Sequence, residues 1–134
     1  MKKIIFLVLV SLLTISCSKD NNEIIEKPIF EASENPLDFG STHINTSSNK
    51  ELTIKNTGNS DLIISSFDFK EKSYFYSNSI MRNDIIIKPN EEYIISLGFE
   101  PSEHGQFENT LVFETNIGEQ QVIIKGEGIT LDPI

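Results

Sequence analysis

The chain has 134 residues, 38 % of them hydrophobic and 23 % charged, with a formal net charge of −9. This length supports one folded domain. An acidic chain of this kind repels a phosphate backbone, which argues against nucleic acid as a partner, and its charge serves solubility.

The first element is an address. Met1-Lys2-Lys3 is a positive n-region, and the apolar run over residues 4–15 follows it. That run is shorter than the roughly 18 residues needed to cross a bilayer, and it fits the h-region of a secretory signal peptide. Ser16 supplies a small residue and Cys17 comes next. The stretch Leu13-Thr14-Ile15-Ser16-Cys17 resembles the lipobox of bacterial lipoproteins, with Thr14 where the usual pattern prefers Leu. The resemblance implies cleavage before Cys17 and acylation of its thiol and new amino terminus, by palmitate among other chains. One acyl chain contributes about 0.8 kcal/mol per buried methylene and holds a protein marginally, whereas several anchor it. Cys17 is the only cysteine, so no disulfide forms within one molecule and an exported fold stands on its core alone.

Residues 17–27 read as the acylated cysteine and a polar, acidic, flexible tether. Its start, Ser18-Lys19-Asp20 with Glu23 nearby, resembles the export signal of surface lipoproteins in Bacteroidetes-type bacteria.

From residue 28 the signals are strands and turns. Val, Ile, Thr and Phe dominate, as strands prefer. Residues 28–32 and 36–40 are short extended pieces, each opened by a proline that also suits a protected sheet edge. In residues 50–56, Leu52 and Ile54 share one face, as in a half-buried antiparallel strand. Residues 61–69 keep Leu62 and Ile64 on one face, then change parity at Phe67 and Phe69. A bulge near Ser65-Ser66 would restore the phase. Residues 73–78 are a possible short strand, and 84–90 an apolar run stopped by Pro89. Residues 92–101 align Tyr93, Ile95, Leu97 and Phe99; residues 106–115 align Phe107, Leu111 and Phe113; residues 120–128 align Val122 and Ile124. Turn residues separate these pieces, among them Thr57-Gly58-Asn59 and Ile117-Gly118. Seven or so strands at this spacing predict an antiparallel β-sandwich, with a closed barrel as the alternative.

Candidate chemistry is sparse. Ser47-Ser48-Asn49-Lys50 matches S-x-x-K and Lys55-Asn56-Thr57-Gly58 approaches K-T-G, the marks of serine β-lactamases. The serine of that motif must open a helix, and nothing here is helical. His43 and His104 lie in separate loop-like stretches, without partners at ligand spacing. Asn59, Asp61, Asp68 and Glu71 lack the spacing of a calcium loop. No catalytic, metal or cofactor-binding residues are expected.

Six short pieces stand in a familiar order: Leu37-Asp38-Phe39-Gly40, Asn56-Thr57-Gly58-Asn59, Ile87-Lys88-Pro89, Phe99-Glu100-Pro101, Gly105-Gln106-Phe107 and Lys125-Gly126-Glu127-Gly128. Together they resemble the ASH or hydin-type immunoglobulin-like (Ig-like) domain, related in fold to the major sperm protein and to periplasmic pilus chaperones. Pro89-Asn90 stands where that family often has Pro-Gly, and Asn also tolerates the left-handed conformation. The resemblance implies a seven-stranded Ig-like sandwich over residues 28–134, without catalytic residues, that works as a protein-interaction module.

The expectation is therefore a signal peptide over residues 1–16, an acylated Cys17 and a non-catalytic module held on a bacterial envelope. The outer membrane is the favoured site, on either face, with an unidentified envelope protein as partner. The rival is a glycan-binding or assembly accessory of a surface complex, using the aromatic cluster Tyr74-Phe75-Tyr76.

Overall fold

A computed structural model describes residues 22–131. The signal-peptide and Cys17 assignments lie outside the described residues. Among those described, nine strands form two sheets: β1 (Phe30–Ala32), β2 (Leu37–His43), β3 (Ser48–Asn56), β4 (Leu62–Phe69), β5 (Phe75–Ser77), β6 (Ile85–Ile87), β7 (Glu92–Phe99), β8 (Gly105–Thr115) and β9 (Gly118–Ile129). One sheet has the order β1-β3-β7-β5, the other β2-β9-β8-β4-β6. The pairings are antiparallel except that of β2 with β9, which is parallel. The molecule is an Ig-like β-sandwich.

The expected count of seven strands becomes nine. The two extra strands, β5 and β6, are three-residue edges supplied by the weak pieces 73–78 and 84–90. His43 also closes a strand where a loop was expected, because β2 goes on pairing with β9 after its register shifts between Asp38 and Ser41.

Alternation decides which side chains are inside. Leu52 and Ile54 of β3, Ile95, Leu97 and Phe99 of β7, Leu111 and Phe113 of β8, and Val122 and Ile124 of β9 are fully buried between the sheets. Strand β4 breaks the period where the sequence indicates. Its register with β8 shifts between Ile64 and Ser66, and the bulge turns Phe67 and Phe69 back toward the core side. A stacked pair, Phe75 and Phe99, 4.6 Å between ring centroids, joins β5 to β7. Phe30 meets Phe113 across the sandwich at 5.1 Å. Burial of each such ring contributes about 1.5–3 kcal/mol. Gly126 faces Phe99, and a Cβ there would stand 2.7 Å from the ring.

The turn Lys88-Pro89-Asn90-Glu91 closes with a 2.9 Å bond from the Glu91 N–H to the Lys88 carbonyl. Asn90 takes φ 65°, so asparagine does fill the left-handed position.

The strands run between two poles. The near pole carries the entry to β1, the 57–61 turn, the 88–91 turn and the β8–β9 turn. Asn116 ties the last of these to its neighbours, accepting from the Ile63 N–H at 2.9 Å and donating to the Asp61 carbonyl at 2.9 Å. The far pole carries the β2–β3 and β7–β8 connections and the end of β9.

Candidate interaction surface

The polar cluster at residues 56–61 is built inward. Asn56 continues the inward parity of Leu52 and Ile54, and its side chain is completely buried. Its Oδ1 accepts from the N–H groups of Gly58 at 3.0 Å and Ile29 at 3.2 Å. Its Nδ2 donates to the carbonyls of Ser60 at 2.7 Å and Ile87 at 2.8 Å. One amide thus satisfies two donors and two acceptors on the turn, on β6 and on the entry to β1. This geometry leaves Asn56 no free valence for a ligand.

Asn109 does the same near the middle of β8. It sits at an inward position between Phe107 and Leu111 and is 7 % exposed. Its Nδ2 donates to the Glu71 carbonyl and to Ser73 Oγ, each at 2.8 Å. That holds the β4–β5 connection against β8. Sequence reasoning missed it, although a polar residue at the apolar parity of β8 is the signal that finds it. No buried side-chain polar atom among the described residues lacks a partner.

The sheet edges are where another molecule could pair. Strand β6 covers only Leu62–Ile64 of β4, while Ser66–Phe69 pair with β8 alone. Beyond the bulge, the outer side of β4 has no strand neighbour among the described residues. Strand β5 is likewise paired on one side only, with β7. Between these two edges opens a cleft of about 660 Å³, its apolar lining formed by Phe67, Phe69, Phe75, Met81 and Leu111, with exposed Lys70 and Lys72 beside them. Ile80, 83 % exposed, stands next to Met81 on the adjoining loop. An open strand edge beside an apolar cleft suits an extended segment of another protein.

A second depression of about 410 Å³ lies against β2, β9 and β8. Its polar groups answer one another: Lys125 approaches Asp38 at 3.8 Å, and Ser41 Oγ donates to Glu127 at 3.0 Å.

The aromatic cluster does not form an open platform. Phe75 is buried. Tyr74 is half-buried, packs edge-on against Phe107 at 4.8 Å, donates its hydroxyl proton to Glu103 at 2.6 Å and accepts from Ser102 at 2.9 Å. Tyr76 is half-buried too, with its ring lying against the backbone of Gly98.

The remaining candidates are scattered. Ser48 and Lys50 lie in β3; Ser48 Oγ meets Thr42 Oγ1 at 2.8 Å, and Lys50 pairs with Glu34 at 3.2 Å. His43 and His104 are exposed, both toward the far pole. Asn59 and Asp61 lie near one pole, and Asp68 and Glu71 toward the other, so the fold does not gather them. Among the described residues no three His, Cys, Asp or Glu side chains converge as metal ligands, and no helix is long and apolar enough to cross a membrane.

Comparison with known structures places this architecture. The seventh PapD-like domain of human CEP192, an ASH domain, superposes with a TM-score of 0.63 at 12 % identity, over 77 % of this chain and 87 % of that one. The major-sperm-protein family member WR4 of C. elegans gives 0.53 at 9 % identity, over 77 % of this chain and all of that one. The secreted serine protease VesC of Vibrio cholerae gives 0.60 at 14 % identity, over 81 % of this chain. There the chain spans about a quarter of the length, 24 %. At such identities the likeness is one of fold. Compared by sequence with curated proteins, the chain has no match. Domains of this fold are typically non-catalytic, which is compatible with an interaction module, although the wider group includes proteases. The model of the HYDIN/CFA65/VesB-like Ig-like domain matches residues 28–128, and the chain belongs to that family.

Proposed function

We propose that this chain is a lipid-anchored lipoprotein of a bacterial envelope whose Ig-like domain serves as a non-catalytic interaction or structural module. The observation that carries the reading is the sequence of parts. A short apolar run ends at Ser16-Cys17, the only cysteine, and an Ig-like domain begins at residue 28. The outer membrane is the proposed site, and the partner is an envelope protein that engages the cleft between β4 and β5. The polar cluster at 56–61 supports a non-catalytic role, since its chemistry is spent on the fold.

The anchor is tested in cells fed a clickable palmitate analogue. The parent chain takes up label and fractionates with membranes, and Cys17→Ala loses both. A Cys17→Ala chain that still carries label refutes the anchor. The surface is tested by Lys72→Glu and Ile80→Asp, scored by crosslinking to neighbours in intact cells. Loss of an adduct that an Ile123→Asp control retains supports the cleft; equal adducts in all three count against it. The aromatic arrangement gives the glycan-binding alternative little support, because the rings of Tyr74, Phe75 and Tyr76 contact the domain's own residues.

A further inference from the structure

The end of the tether is part of the fold. The Lys27 N–H donates to Asn59 Oδ1 at 2.7 Å, and the Asn59 N–H donates to the Lys27 carbonyl at 3.1 Å. Asn59 Nδ2 reaches the Ile25 carbonyl at 3.3 Å, and the Thr57 N–H reaches that of Ile29 at 3.1 Å. The backbone of residues 27–29 runs so close across Gly58 that a Cβ there would stand 2.6 Å from the Ile29 nitrogen. Residues 25–29 are therefore fastened to the near pole.

This changes how far the domain can turn. From Cys17 to Ile25 there are eight Cα steps, which reach at most roughly 26–29 Å. The sandwich is taller than that. Strand β9 alone, Gly118–Ile129, rises by roughly 37 Å from the near pole to the far pole. Were residues 17–27 all free, eleven steps to Pro28 would span roughly 36–40 Å, and the domain could lie either way up. With residue 25 pinned, the domain cannot stand upright on its far pole over the plane that holds Cys17, because that would lift the near pole beyond the reach of the tether.

We infer that the docked segment fixes which end of the domain faces lipid, an inference that rests on the anchor proposed above. The near pole is the membrane-facing surface. Its contact is apolar: Ile24 and Ile25 are 79 % and 78 % exposed, and Ile29 is 46 % exposed. Such neighbouring apolar side chains mark an interaction surface. Glu23, Glu26, Asp61 and Glu91 outnumber Lys27 and Lys88 at this pole, so attraction to anionic headgroups does not make the contact. The cleft between β4 and β5 opens on the flank of the sandwich and is lined by none of the near-pole turns.

The test separates orientation from native acylation. The chain from Cys17 onward contains every described residue, has one cysteine and no tryptophan. Cys17 is coupled to a maleimide lipid in phosphatidylcholine vesicles, and single tryptophans are introduced at exposed turns as Thr57→Trp at the near pole and Ser47→Trp at the far pole. Brominated phosphatidylcholine should quench the Thr57→Trp variant severalfold more than the Ser47→Trp variant. A Gly-Ser linker of about twelve residues, inserted between Asn21 and Asn22, lengthens the reach without touching the fold. It should bring the ratio close to one. Equal quenching in the parent overturns the proposal, and a ratio unmoved by the linker overturns the reach argument beneath it. Because the anchor here is chemical, neither result depends on whether cells acylate Cys17.

Discussion

Replacing Asn56 by Leu removes four hydrogen bonds while keeping most of the side-chain volume. The bond to the Ile87 carbonyl is buried, and the partner left behind has no water to turn to. Leaving such a group unsatisfied costs about 1–3 kcal/mol. The other three, to the Ile29 and Gly58 N–H groups and the Ser60 carbonyl, are only part-buried, so their partners regain some solvent. At roughly 0.5–1 kcal/mol each, they bring the total to about 2.5–6 kcal/mol. For a domain of this size that lowers Tm by roughly 10–30 °C. The assay is urea and thermal unfolding followed by far-ultraviolet circular dichroism and tyrosine fluorescence. Asn59→Ala is the internal control. It deletes two exposed bonds, to the Lys27 N–H and the Ile25 carbonyl, and should cost less than about 1 kcal/mol. If Asn56→Leu unfolds within about 1 kcal/mol of the parent, the cluster is not the structural clamp described above.

Three further predictions follow from packing and register. Gly126→Ala drives a methyl group into the fully buried Phe99 and should cost about 1–3 kcal/mol. Gly98→Ala, which meets the half-buried and movable ring of Tyr76, should cost less; the order of the two urea midpoints checks this. Deleting Ser65 removes the bulge but leaves Leu62, Ile64, Phe67 and Phe69 in unbroken alternation, so this variant should fold. A Ser65 deletion that loses the cooperative transition would show that the bulge itself, and not only the phase it restores, is required. Lys50→Ala breaks an exposed ion pair with Glu34 and should change stability by less than about 0.5 kcal/mol in a denaturant titration.

The faces of the long strands were readable in the sequence because alternation carries the burial pattern directly. Leu52, Ile95, Phe113 and Ile124 each share a face with apolar residues of the same parity, and the parity change between Ile64 and Phe67 locates the bulge. The family pieces were readable for a related reason, since each marks a turn or a strand end whose backbone demands particular residues. The three-residue edge strands were less legible: β5 and β6 are too short to show a period, and pairing with β7 and β4 defines them. The roles of Asn56 and Asn109 were hidden by their polarity. An asparagine beside glycine reads as a turn residue until the neighbouring chain segments that it bonds are known. The cleft was invisible, because it arises from where β6 stops along β4, a fact of tertiary structure that no local pattern records.

The parallel pairing of β2 with β9 has a mechanical consequence. Strand β2, the second in the chain, and β9, the last, lie side by side, pointing the same way, over five register pairs from Leu37↔Ile124 to His43↔Ile129. A pull applied between the entry to β2 and the exit from β9 draws the two strands past each other along their length. Their hydrogen bonds then share the force and must yield together, whereas a peeling load breaks them one by one. Tension applied across that pair meets the domain along a shearing direction.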